Sequence, residues 1–215
     1  MSKSIAVLGL GRFGRNLALH LADIGVQVLA VDQNPEIVQS VADRVTTAVA
    51  ADLTSEEAVS ELGLGHMDAA VVAIGSDLSS AIFAVMAARE KGVPYILAKS
   101  SDSRMSKILK KVGADQVICP EEETSLRVAE ILGNQNFLEF FRIDDSLCLV
   151  DMKPLPEWVG KSLKQLHMRQ RYRANVISMR NREQKVSSTD PDLPITEGMD
   201  LLIIVEKDDL EKLNG

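Results

Sequence analysis

Residues 9–14 read Gly-Leu-Gly-Arg-Phe-Gly, directly behind the apolar run Ser4–Leu8, and no other stretch restricts the fold as strongly. A Gly-x-Gly-x-x-Gly placed between a strand and a helix forms the first βα turn of a dinucleotide-binding sheet. Gly9 permits the tight turn. Gly11 lets the backbone approach a pyrophosphate, and Gly14 lets the helix pack closely on its strand. The helix start then presents free N–H groups and the positive end of its dipole to phosphates. The motif alone is a weak signal, and its context strengthens it. A second apolar run, Gln27–Val31, leads into Asp32, 18 residues after Gly14. A carboxylate there accepts hydrogen bonds from both ribose hydroxyls and repels a 2′-phosphate, which disfavours NADP.

The alternation continues along the first 120 residues. Short apolar runs at Thr46–Ala50, Ala69–Ala73, Tyr95–Ala98 and Gln116–Cys119 are separated by segments of helical spacing. Unbroken apolar runs are strands buried on both faces, as in parallel sheets. Together with right-handed crossovers they predict an α/β, Rossmann-like doubly wound sheet. Helix starts are legible at Asn34-Pro35-Glu36, Thr54-Ser55-Glu56-Glu57, Ser76-Asp77, Ser101-Asp102 and Pro120-Glu121. The last of these helices is expected to run to about Phe140, interrupted at Gly133-Asn134. Phe140-Phe141 then either packs on its own sheet or crosses to a partner subunit.

From about Ile143 the texture changes. Strands are expected at Ser146–Met152, Ala174–Met179, Gln184–Ser188 and Leu201–Val205, with a hairpin turn at Asn181-Arg182-Glu183. Short helices are expected at Val159–Leu166 and Lys207–Leu213. Four short strands make a small α+β lobe with a thin core, a size that often gains stability by dimerising. Arg169-Gln170-Arg171-Tyr172-Arg173 is locally basic, which is either a solvated face or a second anion site.

Ligands in open α/β sheets bind outside the carboxyl ends of the strands. The candidate binding set is therefore Gly9, Gly11, Arg12, Phe13 and Gly14 in the first turn; Asp32, Gln33 and Asn34 after the second strand; Asp52 and Leu53 beside an adenine; Ile74, Gly75 and Ser76 under a ribose; and Lys99, Ser101, Arg104 and Glu121 on the phosphate side. Arg12 is the unusual member. A guanidinium inside the glycine turn reaches a terminal phosphate, which favours a nucleotide with a charged end, ATP or ADP. No catalytic residue is legible: His20 falls in a helix, His66 in a turn and His167 in the small lobe. A dinucleotide fold without a catalytic half reads as a sensor. Two other readings stand beside it, a small NAD-dependent oxidoreductase and a redox or nucleotide sensor acting on a soluble protein.

Composition narrows the classes. The chain has 215 residues, 46% hydrophobic and 26% charged, which excludes disorder; only 4% are aromatic, so the core is aliphatic. A net charge of -7 argues against nucleic acid as a partner. No apolar run approaches the roughly 18 residues of a membrane span, and the N-terminus reads as a buried strand rather than a signal peptide. Cys119 and Cys148 lack metal-ligand spacing and are expected to be lone buried thiols. These features place the chain in the cytosol.

The segments Ile5–Gly14, Val28–Asp32, Val71–Gly75 and Lys111–Glu121 together resemble the RCK (regulator of potassium conductance) proteins of the KtrA/TrkA type. The resemblance covers the whole chain. It implies a nucleotide-binding N-lobe over 1–134, a crossover helix end and linker over 135–141, and a C-lobe over 142–215. It implies a homodimer that assembles into an octameric ring and docks on a KtrB/TrkH-like membrane potassium-translocating subunit, at the inner face of the cell membrane. ATP or ADP, or NAD(H) in some members, would occupy the N-lobe crevice, and nucleotide exchange would gate the pore without catalysis. Arg12 would contact a γ-phosphate, including that of a neighbouring subunit. Glu121 would face its counterpart there and hold a divalent cation, Mg2+ or Ca2+. The stretch Arg169–Asn175 would correspond to a cyclic di-AMP site. Asp52 adds negative charge near the ligand, so ATP/ADP and NAD(H) both stay open.

Overall fold

A computed structural model describes residues 2–181, 187–188 and 190–214. The chain forms two compact units, Met1–Glu122 and Glu123–Gly215.

In the first unit, six strands form one parallel sheet: β1 (Ser4–Leu8), β2 (Gln27–Asp32), β3 (Thr47–Ala50), β4 (Ala69–Val72), β5 (Ile96–Lys99) and β6 (Gln116–Ile118), in the order β3-β2-β1-β4-β5-β6. Five helices connect them: α1 (Arg12–Asp23), α2 (Pro35–Ala42), α3 (Glu56–Glu61), α4 (Leu78–Glu90) and α5 (Ser103–Val112). Alternate residues of β1 and β2 feed two cores. Val7, Val28 and Ala30 pack with Ala18 of α1 and Val41 of α2, and Leu8, Leu29 and Val31 lie in the core that holds Ala84 and Leu109 of α4 and α5. The strand order reverses between β1 and β4, so both strands end at one crevice, the switch point of a doubly wound sheet.

The helix caps follow the sequence. Asn34, Ser55, Asp77 and Asp102 each accept a backbone N–H of the turn they open. At the opposite edge of the sheet, Arg89 of α4 donates to the Gly113 carbonyl (2.6 Å) and to Asp115 (2.7 Å), and Asp115 also accepts the Ile96 N–H (2.7 Å). The Ile96 N–H first, and Arg89 after it, hold the Asp115 carboxyl below its usual range. A depressed folded-state pKa gives stability that is complete above the unfolded value, about 3.9, and is lost as pH falls through the lower folded value. Discounted for its partial exposure, the contribution is about 1 kcal/mol. Asp115→Asn should therefore lose about that much at pH 7 and much less at pH 3, which urea unfolding at the two pH values measures.

Beyond β6, α6 (Pro120–Gly133) does not run on to Phe140. Asn134 donates to the Glu130 carbonyl at 2.8 Å and closes the helix. Phe137–Arg142 is a strand, β7, paired antiparallel with β8 (Leu147–Met152), so the segment 135–141 expected as helix end and linker is largely sheet. Phe140 is buried in the core of the second unit, which is packing on its own sheet, whereas Phe141 is half exposed.

Among the described residues the second unit thus has five strands where four were expected. β9 (Ala174–Asn181), β10 (Ser187–Ser188) and β11 (Met199–Glu206) complete a sheet of order β10-β9-β11-β8-β7, all antiparallel. The predicted turn at Arg182-Glu183 and the start of Gln184–Ser188 lie outside the described residues. The helix expected over Val159–Leu166 is reduced to Leu163–Leu166 (α7), opened by a capping box between Ser162 and Gln165; a 3-10 turn at Pro156–Trp158 precedes it. A short helix, α8 (Met168–Arg171), follows, and Lys207–Leu213 is a 3-10 helix. Trp158 fills the centre of this core, with the Tyr172 ring edge-on at 5.0 Å. Cys148 is buried, which pushes its thiol up, and Cys119 is partly exposed. Among the described residues no helix is long and apolar enough to cross a membrane.

Candidate functional site

The glycine turn between β1 and α1 has three separate jobs. Gly9 sits at φ +95, in the left-handed region, and a Cβ there would lie 2.8 Å from Ile74 Cγ1 at the end of β4. Gly14 has no room at all: a Cβ would fall 1.9 Å from the Gly9 carbonyl oxygen and 2.9 Å from Ala73 Cβ. Gly11 has ordinary backbone angles, φ -60 and ψ -175, and a Cβ there would meet nothing within 4 Å. The fold itself therefore needs glycine at 9 and 14 and does not need it at 11. A position kept bare without an internal neighbour fits close approach by something outside the chain. Gly11 also caps α1 with no side-chain hydrogen bond, so the helix N-terminus keeps its donors.

Asp32 holds this turn in place. One carboxylate oxygen accepts the Leu10 N–H at 2.7 Å and the other the Asn34 N–H at 2.9 Å. Each oxygen has a second lone pair, so the group can still accept hydroxyl protons while it ties β2 to the glycine loop.

These elements border a cavity of about 630 Å³ at the strand ends, a usual size for a small-molecule site. Its lining includes Gly9, Gly11, Arg12, Phe13, Asp32, Gln33, Asp52, Leu53, Ile74, Gly75, Ser76, Lys99, Ser101 and Glu121 from the expected set. Three of that set lie elsewhere. Gly14 is buried beneath the turn. Asn34 turns its side chain to the Glu36 N–H as the cap of α2. Arg104 borders a neighbouring cavity with Ser101 and Ile108. Of the remaining lining residues, Ala51 and Asp77 belong to the strand ends legible in the sequence, and Ile37, Ala73 and Ser80 were not singled out from it. Ile37 and Ser80 sit in the first turns of α2 and α4, and the legible caps of those helices were the signal that their first turns face the crevice.

The lining is electrically divided by the order of the strands. Asp52, after β3, is held below the usual carboxylate range by the Thr54 N–H and then the Thr54 hydroxyl. Asp77 is lowered by the Ser80 hydroxyl and then the Ser79 N–H. Beside Asp52, the side chains of Ile37, Ala51 and Leu53 offer an apolar wall. On the other side of β1 the chain places Lys99, at the end of β5, and Glu121, at the start of α6. Their ion pair is 2.7 Å long, and it holds the Glu121 carboxyl below its usual range. Among the described residues no group of three or more His, Cys, Asp or Glu side chains could hold a metal ion.

In the second unit a cavity of about 450 Å³ is bordered by Lys164, His167 and Arg169 together with Leu163, Ala174, Val176 and Pro191. His167 and Arg173 both adopt φ +50, which bends the basic segment around α8. The Arg171 guanidinium lies 5.7 Å from the Tyr172 ring centre.

Comparison with known proteins covers both units. Residues 5–120 match the family model of the TrkA-N domain and residues 149–214 that of the TrkA-C domain. The Ktr system potassium uptake protein A of Vibrio alginolyticus is 34% identical over 96% of this chain and 94% of its own length. The protein of the same name from Bacillus subtilis (strain 168) is 30% identical over 100% of this chain and 96% of its own. Among solved structures, the GsuK channel bound to NAD superposes with a TM-score of 0.67 at 18% identity, over all of this chain and 40% of that one, a likeness of fold.

Proposed function

The chain belongs to the TrkA-N/TrkA-C family of potassium-transport regulators, and on that footing we propose that it is a nucleotide-sensing subunit that controls a membrane potassium-translocating partner. It acts from the cytoplasmic face, as a homo-oligomer built from dimers into a ring. Its signal is read at the cavity of the first unit, by binding and without turnover.

The observation that carries this reading is the bare, unobstructed backbone at Gly11, at the start of a helix with free donors. The other lining residues fit an adenine nucleotide. Ile37, Ala51 and Leu53 suit a flat apolar base, Asp32 suits ribose hydroxyls, and the α1 N-terminus with Arg12 and Lys99 suits phosphates. From the end of β3 to the end of β5 is four strand spacings, about 19 Å. That length accommodates either a nucleoside triphosphate or an extended dinucleotide, and the GsuK channel, which shares the fold, is bound to NAD in its solved structure. In this reading Glu121 joins a divalent cation, Mg2+ or Ca2+, across paired subunits.

A bound nucleotide shifts a two-state ring only by the difference in its affinity for the two shapes. ATP and ADP differ by one charged group, so discrimination requires a side chain that responds to it. Arg12, the first residue of α1 and exposed at the cavity, is that side chain. Arg12→Ala should weaken ATP at least about tenfold and ADP less than about threefold. Calorimetry with ATP, ADP and NAD tests this, read with the mass of the co-purifying nucleotide and the oligomer mass from light scattering. Equal losses for ATP and ADP remove Arg12 from the switch, and binding of NAD alone turns the site into a dinucleotide sensor. The basic cavity around Arg169 supports a second anion site in the other unit, which titration with cyclic di-AMP tests.

A further inference from the structure

Lys99 is a cation with two claimants. Its side chain is 15% exposed, and its stem lies across the end of β4, where the absence of a side chain at Gly75 makes room for it. A Cβ at Gly75 would stand 3.1 Å from Lys99 Nζ and 3.5 Å from both Cδ and Cε. The stem is thus fixed while the ammonium faces the cavity. There it donates to Glu121 Oε1 at 2.7 Å, its one ion pair among the described residues. Glu121 is 67% exposed, so water competes for its carboxylate and the pair is readily exchanged. An ammonium has three N–H donors, and a phosphate chain offers more negative charge than one carboxylate.

We propose that Lys99 is an exchangeable counter-ion: phosphate groups entering the cavity draw it away from Glu121, and Glu121 is thereby released as a free carboxylate at the mouth of the site. The inference rests on the nucleotide reading of this cavity and adds a coupling to it. Binding of the anion and exposure of the Glu121 charge become one event, so an incoming phosphate creates the negative site that a cation or a neighbouring subunit then meets. Glu121 in turn restrains affinity, since each binding event must break its ion pair.

The test is calorimetry of ADP without divalent cations, in the presence of chelator, on the full chain and on Glu121→Gln, Lys99→Met and the double variant. Lys99→Met keeps the packed stem and removes only the charge, and Glu121→Gln keeps shape at an exposed position. Glu121→Gln is expected to bind ADP about threefold to tenfold more tightly than the parent, and Lys99→Met more weakly. The gain from Glu121→Gln should vanish in the Lys99→Met background. An equal gain in both backgrounds overturns the exchange and leaves simple charge repulsion, and so does unchanged or weaker binding by Glu121→Gln. No binding of ADP by the parent chain overturns the nucleotide reading itself, and the exchange with it.

Discussion

Gly14→Ala should lower the stability of the first unit by about 3 kcal/mol, whereas Gly11→Ala should leave it folded and reduce adenine-nucleotide affinity at least about tenfold. The two substitutions add the same methyl group three residues apart, and the structure separates their consequences. Alanine inside a helix ordinarily gains about 0.5–1 kcal/mol over glycine. At Gly14 that gain is overwhelmed, because the methyl would sit 1.9 Å from the Gly9 carbonyl oxygen, a backbone atom that moves only if the whole turn moves. Overpacking of this kind costs about 1–3 kcal/mol or more, and shifting Gly9 also pushes on Ile74, 2.8 Å from where a Gly9 Cβ would lie. At Gly11 a methyl meets nothing within 4 Å and the backbone angles suit any residue, so the loss is confined to a slightly poorer cap. Urea unfolding measures the first effect and calorimetry with ADP the second. Full-strength binding by Gly11→Ala would show that no ligand approaches this turn closely.

How much of this was legible in the sequence depends on whether the determining interaction is local. The glycine turn, Asp32 and the caps at Asn34, Ser55, Asp77 and Asp102 act over a few residues or over one strand–helix–strand unit, and each lies where its residue type predicts. The run Phe137–Phe141 was ambiguous for a physical reason. Its apolar residues at 137, 138, 140 and 141 satisfy a helical period as well as a strand, and the choice is made by β8, whose Val150 stands opposite Phe140. The Lys99–Glu121 pair was hidden for the same reason. The two residues are 22 positions apart, and only the parallel register of Lys99 with Ile118 brings the end of β5 beside the start of α6. Ser80 and Ile37 join the cavity because helix starts turn back over the strand ends, a property of the sheet's winding that no single segment carries.

Trp158→Ala should destabilise the second unit by about 4 kcal/mol, and Trp158→Phe by about 1–2 kcal/mol. Trp158 is fully buried at the centre of that unit's core and meets the Tyr172 ring edge-on at 5.0 Å. Among the described residues its indole nitrogen has no hydrogen-bond partner, and truncation to alanine loses volume and ring contacts. Phenylalanine retains most of the apolar volume and the edge-on contact, and it removes the unpartnered N–H. The cost of the smaller ring is then a residual cavity, set against the relief of a buried donor. Trp158 is also the chain's single tryptophan, so in the parent protein indole fluorescence follows the second unit's unfolding specifically, while circular dichroism follows the variants. Every residue lining the larger cavity lies between Gly9 and Glu121, outside the second unit. Trp158→Phe should therefore bind ADP as the parent does. A loss of affinity in this folded variant as large as that of Gly11→Ala would place the determinants of nucleotide binding beyond the glycine turn.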